Sequence, residues 1–313
     1  MKKHLTLLIL ACVLVVGSAA EAVAITIDKT QLKQSSVSTK GNKKQSKPAK
    51  KWTKNPGLRS ASVLVTDQKS GKVLYQKNAK AVVPIASITK LMTAIVVLDA
   101  KQKMSKRLTV TNADKDMLKK TGSRLKVGTK LSRKNMLCLT LMASENRAAS
   151  ALSRNYPGGR KAFVAAMNKK AKELGLKETV FKEPTGLNWK NVSSAKDLAK
   201  LVTAAHKYKL IRKYTTTAKH SVVIKGKKET FRNTNKLVRK SNWKIGLSKT
   251  GYIKEAGRCL VMQAKVANKP TIIVLLDSQG TMTRIGDANR IRHWIEHAPK
   301  GKLNSAGLMP STI

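Results

Sequence analysis

The sequence predicts an α/β protein of two lobes, an antiparallel sheet packed with helices plus an inserted, mostly helical lobe. Three observations predict it. Strand-like runs lie near both ends of the chain, helix-period apolar patterns fill the stretch between them, and 313 residues suffice for one sizeable domain or two modest lobes. Strands this far apart in sequence join one sheet when the helices between them fold as an insertion, and a cleft is expected where the lobes meet.

The elements follow in order. Lys2 and Lys3, an apolar run over residues 5–16 and small residues ending at Ala22-Val23-Ala24 have the layout of a secretory signal peptide, expected over 1–24 with cleavage after Ala24. The apolar run is shorter than the roughly 20 residues a spanning helix needs. Residues 25–56, rich in Ser, Lys, Gln and Thr with little to bury, are expected to form a disordered basic arm. The folded domain is expected over 57–298, followed by a short tail, 299–313. Runs at 61–67 and 72–77 flank Gln68-Lys69-Ser70-Gly71 and read as a hairpin. Residues 86–100, 134–154, 159–174 and 195–208 carry helix-period apolar positions. Late strands are expected at 245–252, 258–267 and 271–277, with Asn268-Lys269-Pro270 turning between the last two, and 284–298 reads as a closing helix. Two cysteines, Cys138 and Cys259, follow the signal segment; they are too few for a disulfide framework and are expected as free, buried thiols.

Three short strings carry the chemistry. Ser87 follows Pro84-Ile85-Ala86 and is expected to open a helix, where amide dipoles support developing negative charge. Lys90, three residues on, shares its helical face. The rest of that helix is apolar almost all round, so Lys90 begins a buried helix and its charged form loses hydration. A lysine with a lowered pKa can take the proton of a serine hydroxyl. Ser-x-x-Lys alone is a common pair in which the serine is often only a cap. The second string, Ser144-Glu145-Asn146, interrupts a helical apolar pattern; Ser144 can pass a proton and Asn146 can hold a substrate amide or carbonyl. The third, Lys249-Thr250-Gly251, lies on an expected strand. Lys249 adds a second cation near Lys90, Thr250 offers a hydroxyl to a substrate carboxylate, and Gly251 permits close backbone approach. The N–H groups of Ser87 and Tyr252 are candidates for an oxyanion hole.

Together these strings resemble the signatures of penicillin-binding proteins and class A beta-lactamases. The wider match, through Glu183-Pro184-Thr185-Gly186-Leu187 and Phe231-Arg232-Asn233-Thr234-Asn235, is similar to the low-molecular-mass D-alanyl-D-alanine peptidases and covers roughly residues 57–298. The resemblance implies the penicillin-binding protein and serine beta-lactamase-like fold, and a serine peptidase acting through an acyl-enzyme that beta-lactams inhibit. It implies Ser87 as nucleophile, Lys90 as general base and Ser144 as proton relay, with substrate held by Asn146, Lys249, Thr250, Gly251 and Tyr252. No metal or organic cofactor is implied. Within the family the chain looks most like the D-alanyl-D-alanine endopeptidases, which cut peptidoglycan crosslinks; carboxypeptidase relatives generally add a beta-rich domain and an anchoring helix for which 299–313 is too short. Carboxypeptidase, beta-lactamase and non-catalytic wall-binding protein are the alternatives, in that order.

A beta-lactamase needs a carboxylate to activate the deacylating water; Glu183 and Asn188 are five apart where its Glu-x-x-x-Asn element requires four. His293-Trp294-Ile295-Glu296-His297 matches an inverted zinc-peptidase pattern, but no acidic residue follows Glu296 to complete the ligand set. The net charge, 64 basic against 16 acidic residues or +48, draws the chain to polyanions. Export, aromatics at 4% and scattered lysines argue against nucleic acid, leaving an anionic wall polymer or membrane surface as the expected electrostatic partner and the periplasm as the expected location.

Overall fold

The computed structural model describes residues 52–299 and 301–304. The expected signal peptide, most of the basic arm and the end of the tail lie outside the described residues. In chain order the fold comprises β1 (Ser62–Asp67), β2 (Val73–Lys77), β3 (Val83–Pro84), α1 (Lys90–Asp99), β4 (Arg107–Thr109), β5 (Lys130–Ser132), α2 (Arg133–Met142), α3 (Asn146–Arg154), α4 (Gly159–Glu173), β6 (Val192–Ser193), α5 (Ala195–His206), α6 (Lys209–Thr216), β7 (Lys219–Ile224), β8 (Lys227–Arg232), β9 (Lys244–Ile253), β10 (Gly257–Val266), β11 (Lys269–Ser278) and α7 (Thr283–Glu296).

Five strands form one antiparallel sheet in the order β2-β1-β11-β10-β9, so the first hairpin pairs with the last strand and everything between is inserted. Alternation divides the sheet's side chains between two cores. Val63, Val65, Leu260, Met262, Ile273 and Leu275 pack on Ala288, Ile291, Trp294 and Ile295 of α7. Leu64, Val261, Ile272, Val274 and Leu276 face the helical lobe, whose centre is α1. Leu91, Met92, Ala94, Ile95, Val96 and Val97 of α1 are all buried, as its all-round apolar sequence requires. Each large apolar side chain buried this way contributes roughly 1.5–3 kcal/mol.

Several boundaries differ from expectation, each for a local reason. The helix expected over 134–154 is two helices, because Ser144 has φ +59°, a left-handed conformation no α-helix continues through. The helix expected from residue 86 starts with a 3-10 turn, Ala86–Thr89, so Ser87 lies in that turn and the α-helix begins at Lys90. The helix expected over 195–208 stops at His206, and α6 follows separately. The last hairpin reverses at Ala267-Asn268, both at positive φ; Lys269 and Pro270 already pair with Val266 and Lys265. The β7–β8 hairpin, turning through Lys225-Gly226, was not expected. Residues 52–56, assigned to the arm, include a packed segment. Trp52 stacks on Trp294 with ring centroids 6.0 Å apart, its Nε1 donates to the Trp294 carbonyl at 3.0 Å, and Trp294 Nε1 donates to the Thr53 carbonyl at 2.9 Å.

Candidate active site

The cleft lies between β9 on one wall and the α2–α3 junction and the 112–129 segment on the other. Ser87, Lys119, Thr121, Ser144, Asn146, Leu187, Thr234, Thr250, Gly251, Tyr252 and Arg284 line it, around a space of about 430 Å³. The structure thus brings Ser87, Ser144, Asn146, Thr250, Gly251 and Tyr252 to one opening. Lys90 and Lys249 stand directly behind it, 0% and 1% exposed.

Lys90 is the hub. Its Nζ lies 2.7 Å from Ser87 Oγ, 2.8 Å from Asn146 Oδ1 and 2.6 Å from the Thr185 carbonyl. Burial at the head of α1 pulls this amine down to about 8, against the opposing pull of Glu183, Glu145 and Asp116. Lys249 Nζ donates to Ser144 Oγ at 2.9 Å and to the Thr250 carbonyl at 2.8 Å. Its pKa falls well below the ordinary lysine value through burial, then through the neighbouring charges of Lys90 and Arg284. Thr250 Oγ1 donates to Thr234 Oγ1 at 2.7 Å, fixing the hydroxyl that faces the cleft.

Backbone requirements explain two glycines. Gly186, at φ +82°, presses on the turn that carries Ser87: a Cβ there would lie 1.9 Å from the Ala86 carbonyl oxygen. Gly251 lines the cleft and also lies against the turn that carries Ser87. A Cβ at Gly251 would meet the Ile85 carbonyl oxygen at 2.9 Å and the Ser87 nitrogen at 3.1 Å, so its missing side chain accommodates the turn that carries Ser87. Tyr252 stands at the rim, 56% exposed, with the Arg258 guanidinium 4.5 Å from its ring centroid.

Other contributors escaped the sequence reading. Thr185 acts through a backbone carbonyl, which residue type does not report. Its position is set by Glu183, whose carboxylate accepts from the Thr185 and Gly186 amides at 2.6 and 2.5 Å and from Thr185 Oγ1 at 2.5 Å. Glu183 is therefore committed to its own loop. Thr121, which donates to Asp116 and accepts from Asn146 Nδ2 at 3.0 Å, carried no motif. Arg284, whose Nη1 donates to the Gly251 and Cys259 carbonyls at 2.8 and 3.0 Å, was visible only as a helix residue. His293 and His297 stack on each other at the end of α7, and His297 Nδ1 lies 2.8 Å from the His293 carbonyl. Cys138 and Cys259 are free and buried, and burial pushes their thiols up to about 12 and about 11.

An antiparallel sheet with an inserted helical lobe, and two buried lysines, Lys90 bonded to Ser87 on its own turn and Lys249 bonded to Ser144 across the cleft, define a penicillin-recognising serine peptidase. The chain belongs to the D-alanyl-D-alanine carboxypeptidase family, which matches residues 49–280. It is 49% identical over 241 residues to a D-alanyl-D-alanine endopeptidase of Pseudomonas aeruginosa, covering 76% of this chain and 78% of that one. It is 47% identical over 243 residues to a D-alanyl-D-alanine endopeptidase of Escherichia coli, covering 77% and 78%. Among solved structures it is similar to the Streptomyces K15 DD-transpeptidase, with a TM-score of 0.71 at 29% identity over 77% of this chain and 98% of that one.

Proposed function

We propose that this protein is a D-alanyl-D-alanine endopeptidase that hydrolyses peptide crosslinks of peptidoglycan, with Ser87 as nucleophile and Lys90 as general base. The observation that carries the reading is the buried Lys90 amine 2.7 Å from Ser87 Oγ. Near-half identity to two endopeptidases supports cleavage of crosslinks over trimming of free D-alanyl termini.

The neutral Lys90 amine takes the Ser87 proton as Oγ bonds to the D-alanyl carbonyl carbon. The carbonyl oxygen becomes an oxyanion held by the N–H groups of Ser87 and Tyr252. When the C–N bond breaks, the departing amine takes a proton from Ser144 Oγ. Ser144 recovers one from the lysine pair, so the proton removed from Ser87 is matched by one delivered and the pair ends as it began. Water then adds to the ester, releasing a carboxylate and restoring Ser87. Burial lowers the Lys90 amine to about 8, so its free base is a minor form near neutrality and the main form above that. Asn146 and Thr250 orient the substrate. A beta-lactam, whose ring carbonyl occupies the same position, acylates Ser87 and inhibits.

The N-terminal pattern over residues 1–24 supports export to the periplasm, and the charge of +48 supports electrostatic retention on anionic wall polymers or the membrane surface. Purified crosslinked muropeptide dimers are expected to fall to monomers with the wild-type protein and to persist with Ser87→Ala. Release of free D-alanine from pentapeptides without dimer cleavage would overturn the endopeptidase reading in favour of carboxypeptidase. A benzylpenicillin adduct located by mass spectrometry on a side chain other than Ser87 would remove the nucleophile assignment.

A further inference from the structure

We propose that Thr121 and Asp116 are positioning residues that fix which end of the Asn146 amide faces Lys90, and thereby aim the Lys90 lone pair at Ser87. The inference rests on the reading of Lys90 as base and adds two residues that no motif contains.

A neutral amine has two N–H bonds and one lone pair. Lys90 Nζ has three neighbours: Ser87 Oγ, Asn146 Oδ1 and the Thr185 carbonyl. A carbonyl oxygen only accepts, so Thr185 takes one N–H. Asn146 is ambivalent, since its amide presents an acceptor or a donor according to a half-turn about χ2. With Oδ1 toward Lys90, both N–H bonds are occupied and the lone pair is left to the Ser87 hydroxyl. With Nδ2 toward Lys90, the amide competes for the lone pair and Ser87 loses its base.

The 112–121 segment removes the ambivalence through a chain of fixed polarity. Asp116 accepts from the Leu118 amide at 2.9 Å and the Lys119 amide at 3.0 Å through Oδ1, and from the Thr121 amide at 2.9 Å and Thr121 Oγ1 at 2.8 Å through Oδ2. These donors hold the carboxyl below its usual range although burial opposes them, so it stays an acceptor. The single Thr121 hydroxyl proton is thereby committed to Asp116. What Oγ1 offers Asn146 is a lone pair, and Asn146 Nδ2 donates to it at 3.0 Å. The other end of the amide necessarily shows Oδ1 to Lys90. The charged groups facing Lys90 are Glu183 from the loop before β6, Glu145 at the head of α3, Asp116 itself and Lys249 on β9. Thr121→Val removes none of these charges, although it takes one of its four donors from Asp116.

The test compares wild type, Thr121→Val and Thr121→Ser in the rate constant for acylation by a fluorescent penicillin, between about pH 6 and 10. Thr121→Val, which keeps the volume and loses the hydroxyl, is expected to lower the alkaline plateau at least about tenfold, as a misaimed group does. Its acid limb is also expected to move below the wild-type midpoint, because an N–H donor facing Lys90 disfavours the ammonium. Thr121→Ser is expected to restore both plateau and midpoint. A Thr121→Val plateau and midpoint equal to wild type would overturn the proposal. So would a lower plateau with an unmoved midpoint, which is the mark of lost structure alone. Should Thr121→Val fail to fold, Asp116→Asn is read instead: its amide can donate to Thr121 and reverse the chain, so its plateau is expected to fall, and an unchanged plateau overturns the proposal. Wild-type protein left unlabelled at Ser87 would remove the base assignment itself, an outcome distinct from all of these.

Discussion

At the scale of the residue, Lys90 combines a cost and a use. Its amine is wholly buried and lowered to about 8 from the ordinary 10.5, a difference worth about 3 kcal/mol between folded and unfolded states near neutrality. The unfolded chain binds the extra proton, so this cost is full below about pH 8 and is relieved as pH rises toward 10.5. Lys90→Met removes both cost and base. It is expected to melt at or above the wild-type temperature by calorimetry while acylation by a fluorescent penicillin falls at least about 10²-fold. With Lys90 as the proposed base, its neutral amine is the active form, so the acylation rate is expected to rise about tenfold per pH unit below 8 and to level off above it, read by stopped-flow labelling. A flat profile across that range would contradict the assignment of the base.

At the scale of the element, the site depends on a loop that sequence reasoning described without understanding. The strands and helices were legible from their apolar patterns: β10 and β11 carry the apolar runs 259–262 and 272–276, and α1 is apolar almost all round. The three strings were legible because the proposed chemistry calls for their side-chain types at that spacing. The break at Ser144 was visible only as polar residues in an apolar pattern, since a left-handed serine has no compositional signal. The β7–β8 hairpin was illegible because it is a lysine-rich ribbon with one buried face, where Val222 and Phe231 are its main apolar anchors. The Thr185 carbonyl was illegible because backbone atoms are common to all residues. Gly186 is where that loop is testable. Gly186→Ala adds a Cβ that would lie 1.9 Å from the Ala86 carbonyl oxygen at a φ of +82°, so either the loop or the nucleophile turn must move. Stability is expected to fall by about 2 kcal/mol or more by denaturant melts. Acylation of the protein that remains folded is expected to slow, because Thr185 no longer occupies one Lys90 N–H.

At the scale of the whole molecule, the sheet lobe is closed by its own ends. Asp287 of α7, fully buried, accepts from the Arg59 amide at 3.1 Å and the Ser60 amide at 2.7 Å, from Ser60 Oγ at 2.5 Å, and from Arg290. These donors hold its pKa below the usual carboxylate value, so its contribution is present above the unfolded value of 3.8 and is lost as pH falls through the folded one. Asp287→Ala leaves buried donors without a partner and is expected to cost about 2–4 kcal/mol, lowering Tm by several degrees without changing the fraction of Ser87 labelled at low temperature. The charge of the chain acts on a longer range than any of these contacts. With 64 basic against 16 acidic residues, the proposed attraction to an anionic sacculus would act over a Debye length of about 8 Å at physiological salt and about 3 Å at 1 M. The reacting groups, by contrast, touch one another at 2.6 to 2.9 Å behind the cleft, where added salt does not reach. Raising ionic strength is therefore expected to release the enzyme from purified sacculi, measured by co-sedimentation, while leaving cleavage of a small soluble crosslinked peptide nearly unchanged. Equal losses in the two measurements would mean that the charge acts on the reaction and not on retention.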